Sequence, residues 1–208
     1  MKIAVFGATG KLGQHFVKAA LNKGHIIVAY ARSPHKLKIT HNRLKIIEGD
    51  IFDTDKITAF LEGVDAVLTC LRLKTQRIPL FSQGTQTIIN AMKNQNVKRL
   101  ILISEAAYGE HMRNFGWITR VSFRVYGAFQ KFQLNERRKQ DSIVYESGLD
   151  WSVFRVRTLT NKSKKKSLQT SLEPKKSFSG GTFRGHLAEE ILNQLDNPEE
   201  YLQKNIYI

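Results

Sequence analysis

The chain has 208 residues, 33 Lys plus Arg against 18 Asp plus Glu for a net charge of +15, 41% hydrophobic residues and one cysteine, Cys70. That length accommodates one α/β domain with a sizeable core, the apolar fraction excludes a disordered chain, and a lone cysteine excludes an internal disulfide and suits a reducing compartment. No apolar run is long enough to span a bilayer, and Gly7, Thr9 and Gly10 interrupt the opening run too soon for a secretory signal, so a soluble, cytoplasmic protein is expected.

Residues 2–6 read as a strand and run into FGATGKLGQ, where Gly7, Gly10 and Gly13 fall three apart. Three explanations compete for such a turn. A P-loop requires a glycine, four residues and then Gly-Lys-Ser/Thr; here Gly10-Lys11 is followed by Leu12, so that reading fails. The others are a plain strand-to-helix turn and a dinucleotide site, where bare backbone amides approach a pyrophosphate at a helix N-terminus. The spacing departs from Gly-x-Gly-x-x-Gly, so context must decide.

Residues 12–21 carry apolar side chains at helical spacing and end near Lys23-Gly24, a basic turn with a glycine cap. Residues 25–30 form the second strand and 44–47 the third, followed by EGD. A short helix over 57–61 stops near Gly63, and 66–71 form the fourth strand, which places Cys70 inside a buried strand. Residues 81–92 read as a helix with Ile88, Ile89 and Met92 on one side, 100–104 as the fifth strand, and 118–147 as a long basic helical region that can break near Gly127 and is capped by Gly148. Residues 151–156 are the sixth strand. The stretch 161–181 is polar, rich in Lys, Ser and Gly, and reads either as a flap over a site or as a mobile loop. Much of the excess charge sits there: Lys162, Lys164, Lys165, Lys166, Lys175 and Lys176 either attract anionic partners or form a solvated basic surface. Residues 186–195 form a last helix and NIYI a short final strand.

Unbroken Val/Ile/Leu runs suit strands covered on both faces, and the strand–helix alternation predicts right-handed crossovers. The fold expected is α/β, a Rossmann-type doubly wound parallel sheet flanked by helices, as one domain over 1–208. The glycine turn then lies between the first strand and first helix, where open α/β sheets bind dinucleotides, which favours the dinucleotide site.

An NAD-preferring site carries Asp or Glu about 20 residues past the turn, for the ribose 2′-hydroxyl. The second strand ends instead in Ala29-Tyr30-Ala31-Arg32-Ser33. Arg32 offers a fork of donors for a phosphate, Ser33 adds a hydroxyl, and Lys36 and Lys38 add charge. NADP(H) is therefore favoured over NAD(H); the plain alternative is that Arg32 is a surface charge. Asp50 is placed to accept from an adenine amino group with Ile51 against the ring, or else to cap the next helix, a task that Asp53 or Thr54 would perform better.

The ordered set FGATGKLG, ARSPHKL, EGDIFD, DAVLTCL, VKRLILIS and ESGLDWSVFR resembles the NmrA-like, atypical short-chain dehydrogenase group that includes biliverdin IXβ reductase/flavin reductase. The likeness runs from Met1 to about Thr160, and less clearly over 184–188. It implies that Gly7, Thr9, Gly10, Lys11 and Leu12 surround the phosphates, and that Arg32 and Ser33 hold the 2′-phosphate. It also implies that Asp50 and Ile51 flank adenine, Leu71 and Arg72 lie beside ribose and pyrophosphate, and Ser104 faces the nicotinamide. Two departures stand out. Arg155-Val156-Arg157 replaces the family's common Arg-Pro-Gly, so the backbone contact to the carboxamide is not carried over, and His186 stands where an acid is usual.

No tyrosine has a lysine four residues on; Tyr126 and Lys131 are five apart. That argues against ordinary alcohol–ketone oxidoreduction, which in typical short-chain dehydrogenases uses a Tyr-x-x-x-Lys pair. Hydride transfer to a flavin or quinone-like acceptor is less demanding, because stacking on the nicotinamide supplies orientation and solvent can supply the proton. Ser104 and Glu105, at the end of the fifth strand, are the catalytic candidates; Glu105 is an acid, a substrate contact or a cap, and aligns with a serine of the flavin reductase. Phe115, Trp117 and Tyr126 form either an aromatic wall or core packing, and Lys164 to Lys166 can attract anionic acceptors such as FMN. His111 is assigned no role, no metal-ligand spacing occurs, and no Gly-x-Ser-x-Gly elbow supports a hydrolase. The expected function is an NADPH-dependent reductase of a flavin, quinone or similar small-molecule acceptor. The alternative is a non-enzymatic NADP-binding redox sensor, and a nucleic-acid partner is suggested by charge alone.

Overall fold

The computed structural model describes residues 1–72, 78–105, 117, 121, 131–156, 158–162, 168–173 and 181–208. In chain order the elements are β1 (Lys2–Phe6), α1 (Lys11–Asn22), β2 (Ile26–Ala31), β3 (Leu44–Glu48), α2 (Thr54–Phe60), β4 (Ala66–Thr69), α3 (Ser82–Asn94) and β5 (Arg99–Glu105). They continue with α4 (Lys131–Tyr145), β6 (Asp150–Val156), β7 (Leu159–Thr160), β8 (Thr182–Phe183), α5 (Arg184–Asp196) and β9 (Lys204–Tyr207).

Seven strands form one sheet in the order β3-β2-β1-β4-β5-β6-β9, and every pairing in it is parallel. This is the doubly wound Rossmann-type architecture that the alternation of apolar runs and amphipathic stretches predicts. The apolar strands are sandwiched because their side chains alternate between two cores. Ile3, Val5, Ile101, Ile103 and Phe154 pack with Phe16, Val17, Leu187 and Ile191 of α1 and α5. Ala4, Phe6, Leu100, Leu102 and Val153 pack with Ile57, Ile88, Ile89, Met92 and Val144 of α2, α3 and α4. The chain reverses direction across the sheet between β1 and β4, which opens a crevice at the carboxyl ends of those strands.

Three details differ from the sequence expectation or add to it. β4 ends at Thr69, so Cys70 lies one residue beyond the strand; its thiol is set against the carbonyl oxygens of Phe6 at 3.4 Å and Gly7 at 3.5 Å. Within the basic region 118–147, the described helix is α4, and besides Val144 the side chains it buries are polar or charged. Glu136 accepts from Ser82 N at 3.2 Å and Ser82 Oγ at 2.7 Å, Gln140 donates to Thr85 Oγ1 at 2.7 Å, and the Arg137 guanidinium lies 3.5 Å above the Phe81 ring. Finally, the described parts of the stretch 161–181 lie between β7 and β8 and touch β9 at Ser171. β7 pairs in parallel with β8, and Ser171 bridges to Tyr207. No described helix is long and apolar enough to cross a membrane. Gly127, Glu110, His111, Phe115, Tyr126, Arg157 and Lys164 to Lys166 lie outside the described residues.

Candidate functional site

The site begins with the turn between β1 and α1. Gly7 has φ +92°, and a Cβ there would stand 2.7 Å from the Cys70 carbonyl oxygen, so both backbone handedness and space demand glycine. A Cβ at Gly13 would run into the Gly7 carbonyl; its absence lets α1 sit tight against the turn. Gly10 is the N-cap of α1, with its own N–H bonded to Gly7 O at 3.0 Å and with no side chain capping the helix. The first amides of α1, at Lys11, Leu12 and Gly13, face the helix entrance without an intrahelical acceptor, and the helix dipole adds positive potential there. No acid occupies the first turn of α1. Together these features make a receptor for a diphosphate.

Gln14 fixes this turn to the end of β2. Its Nε2 donates to Thr9 O at 3.0 Å and reaches Lys36 O at 3.5 Å. Arg32 and Ser33 follow β2 directly. Arg32 is exposed and has no ion-pair partner among the described residues. Ser33 precedes a single 3-10 turn over Pro34–Lys36 and makes no capping hydrogen bond through its side chain. Nothing in the local pattern singles out Gln14, because its role depends on where the 3-10 turn folds back.

Across the crevice, Asp50 accepts from Phe52 N through Oδ1 at 3.0 Å, while Asp53 caps α2 by accepting from Lys56 N at 3.1 Å. Asp50 is therefore not the cap. Its backbone carbonyl is held by the Tyr30 hydroxyl at 3.1 Å, which fits because Gly49 has no Cβ to meet that ring. Burial, reinforced by Asp53 and Asp50, pushes the Tyr30 phenol up to about 12, so it stays a donor. Ile51 is buried and packs on α3 at Gly84, where a Cβ would come within 3.0 Å of Ile51 Cγ1. Leu71 is half-buried against this same core, and Arg72 is exposed.

At the far end, Ser104 and Glu105 close β5. Glu105 is exposed, whereas Ser104 is 1% exposed and its Oγ accepts from Arg155 Nη1 at 3.1 Å. Arg155 is fully buried and makes three more contacts: Nε to Asn205 Oδ1 at 2.8 Å, and Nη2 to Asp141 Oδ2 and Tyr145 OH, each at 2.7 Å. Desolvation opposes the charge of Arg155, but the Asp141 carboxylate and Tyr145 outweigh it and hold the guanidinium above its ordinary pKa. Trp117, considered for an aromatic wall, is 74% exposed. No group of three or more potential metal ligands occurs among the described residues.

The profile of the NAD(P)H-binding family matches residues 7–198, from the glycine turn to beyond α5. The chain belongs to the NAD(P)H-binding family. An uncharacterized protein of Mycobacterium tuberculosis is 29% identical over 104 residues, which is 50% of this chain and 12% of that protein. The match therefore spans a small part of that relative's length. Among solved structures, a short-chain dehydrogenase/reductase from Veillonella parvula in complex with NADP aligns with TM-score 0.81 at 18% identity, covering 99% of this chain and 93% of the other. ChuY, an anaerobillin reductase from Escherichia coli O157:H7, aligns with TM-score 0.79 at 17% identity, covering 100% and 97%. These likenesses establish the Rossmann fold.

Proposed function

We propose that the chain, as one Rossmann domain over 1–208, is an NADPH-dependent reductase that delivers hydride to a flavin, quinone or similar conjugated acceptor, within the atypical, NmrA-like branch of its family. The observation that carries this reading is the pairing of an uncapped α1 entrance with an acid-free end of β2. Gly7, Thr9, Gly10, Lys11 and Leu12 would hold the diphosphate, and Arg32 with Ser33 would hold a 2′-phosphate. Asp50, Ile51, Leu71 and Arg72 would line the adenosine half. The NADP held by the Veillonella protein and the reductase activity in the name of ChuY support the same reading. Bound NADPH would supply the hydride. The chain would supply orientation, with Ser104 and Glu105 at the nicotinamide end and solvent delivering the proton.

The absence of a Tyr-x-x-x-Lys pair from the sequence, together with the Ser104 hydroxyl tied to Arg155, favours as a second reading an NADP-binding redox sensor that acts on a partner. Steady-state NADPH oxidation across a panel of FMN, riboflavin and quinones separates the two. Turnover with at least one acceptor supports the reductase. Tight NADPH binding without turnover supports the sensor. Salt-dependent binding to DNA or RNA in place of NADPH would point to nucleic acid.

A further inference from the structure

β8 delivers the chain into α5 beside α1, so the entrances of two helices lie together at the carboxyl edge of the sheet. Phe183 is the N-cap of α5, and its ring sits between two histidines, 5.8 Å from His15 of α1 and 5.0 Å from His186 of α5. Gly185 permits this fold-back, since a Cβ there would stand 2.5 Å from the Phe183 ring. The next residue after Phe183 is Arg184, whose Nη1 donates to Asn161 Oδ1 at 2.7 Å, fixing the guanidinium across the β7–β8 pair. The planar fork of a guanidinium matches a phosphoryl or carboxylate group.

The described charges around Arg184 are cationic. Burial lowers the pKa of Arg184, and the charge of Arg72 lowers it further; His15 is lowered by burial first, then by Arg184 and Lys18. Phe183, 5.8 Å from His15, sets the adjoining Arg184 beside the second turn of α1, and Arg72 follows the end of β4. Among the described residues neither Arg72 nor Arg184 has a carboxylate partner. Like charges gathered around an oriented guanidinium cost stability unless an anion is present to offset them.

We propose that Arg184, aided by Arg72, forms an anion subsite at the joined entrances of α1 and α5, for a phosphoryl or carboxylate group. It rests on the reading of this crevice as a dinucleotide site and adds to the receptor at α1 a second holder on the opposite side. Two sources carry this chemistry: the diphosphate of the coenzyme, and an anionic group on the acceptor.

The test compares wild type, Arg184→Gln, Arg184→Lys and Arg72→Gln, each checked for an unchanged melting temperature, at fixed low ionic strength. NADPH affinity is measured by titration, and KM is measured for FMN and for riboflavin, which share a ring system and differ in the phosphate. A loss of NADPH affinity of about tenfold or more in Arg184→Gln, on the scale of one charge-assisted hydrogen bond, with partial rescue in Arg184→Lys, assigns the subsite to the coenzyme. A KM increase of similar size for FMN but not riboflavin assigns it to the acceptor. Unchanged values for all three ligands overturn the proposal. Calorimetric titration with inorganic pyrophosphate runs in parallel. If wild type binds pyrophosphate and Arg184→Gln does not, the subsite stands even where NADPH fails to bind and the reductase reading falls; equal binding by both variants overturns it.

Discussion

Ser104 Oγ accepts a hydrogen bond from Arg155 Nη1 at 3.1 Å, across the β5–β6 pair in which the two residues are direct neighbours. The guanidinium is fully buried, and Ser104 is nearly so. A hydroxyl held in this way is a poor candidate for delivering the proton that a hydride acceptor needs. Ser104→Ala is expected to lower kcat with a flavin acceptor by less than about tenfold, whereas loss of a true general acid costs about 10²- to 10⁴-fold. Single-turnover and steady-state rates measure the difference, and a loss in the larger range would make Ser104 the proton donor in place of solvent.

Arg155 joins β6 to α4 through Asp141 and Tyr145, and to β9 through Asn205. Removing one member of a buried ion pair leaves the other charge uncompensated, which costs about 3–5 kcal/mol. Arg155→Met should therefore destabilise strongly in urea, and adding Asp141→Leu should recover a substantial part of the loss. Additive effects of the two substitutions would show that the pair does not act as a unit.

Arg32 is exposed, and no ion pair claims it among the described residues. Arg32→Glu should weaken NADPH binding by about 10- to 100-fold, since it removes charge-assisted hydrogen bonds and sets a carboxylate against the 2′-phosphate. NADH affinity should change by less than about threefold, because a carboxylate suits a ribose hydroxyl. Equal losses for both coenzymes in parallel titrations would remove the assignment.

The glycine turn, the strands of the parallel sheet and the acid-free end of β2 were legible in the sequence because each depends on local pattern. Gly7, Gly10 and Gly13 are read at fixed spacing, and β1, β2 and β5 are unbroken apolar runs. The parts that stayed hidden depend on distant partners. α4 reads only as part of a basic helical region because its buried face carries Glu136, Gln140 and Asp141, whose partners are on α3 and β6. β7 and β8 are two residues each, too short to show a period. Arg155 was visible as a departure from Arg-Pro-Gly, but its contact with Ser104 follows from strand register. Arg184 acquires meaning only when α5 is laid beside α1.

His25 precedes β2 and is buried, with Nε2 3.9 Å from Asp196 Oδ1. Burial first, then the Met1 amino group and Lys23, lower its pKa from the ordinary 6.5, against an opposing pull from Asp196. The unfolded chain then binds a proton more readily than the native protein. Stability contributed by this group is complete above pH 6.5 and declines as pH falls through the lower native value. Denaturation midpoints measured between neutral and mildly acidic pH should decline less in His25→Gln than in wild type. Identical pH profiles would mean that other groups govern acid sensitivity.

The central claim is that the turn from Gly7 to Leu12 and the guanidinium of Arg32 together receive a phosphorylated nicotinamide coenzyme. Calorimetric titration of the wild-type protein with NADPH and with NADH tests it most directly. The account predicts one-to-one binding of both, with NADPH tighter by about tenfold or more. Binding of neither, or a preference for NADH, would contradict it.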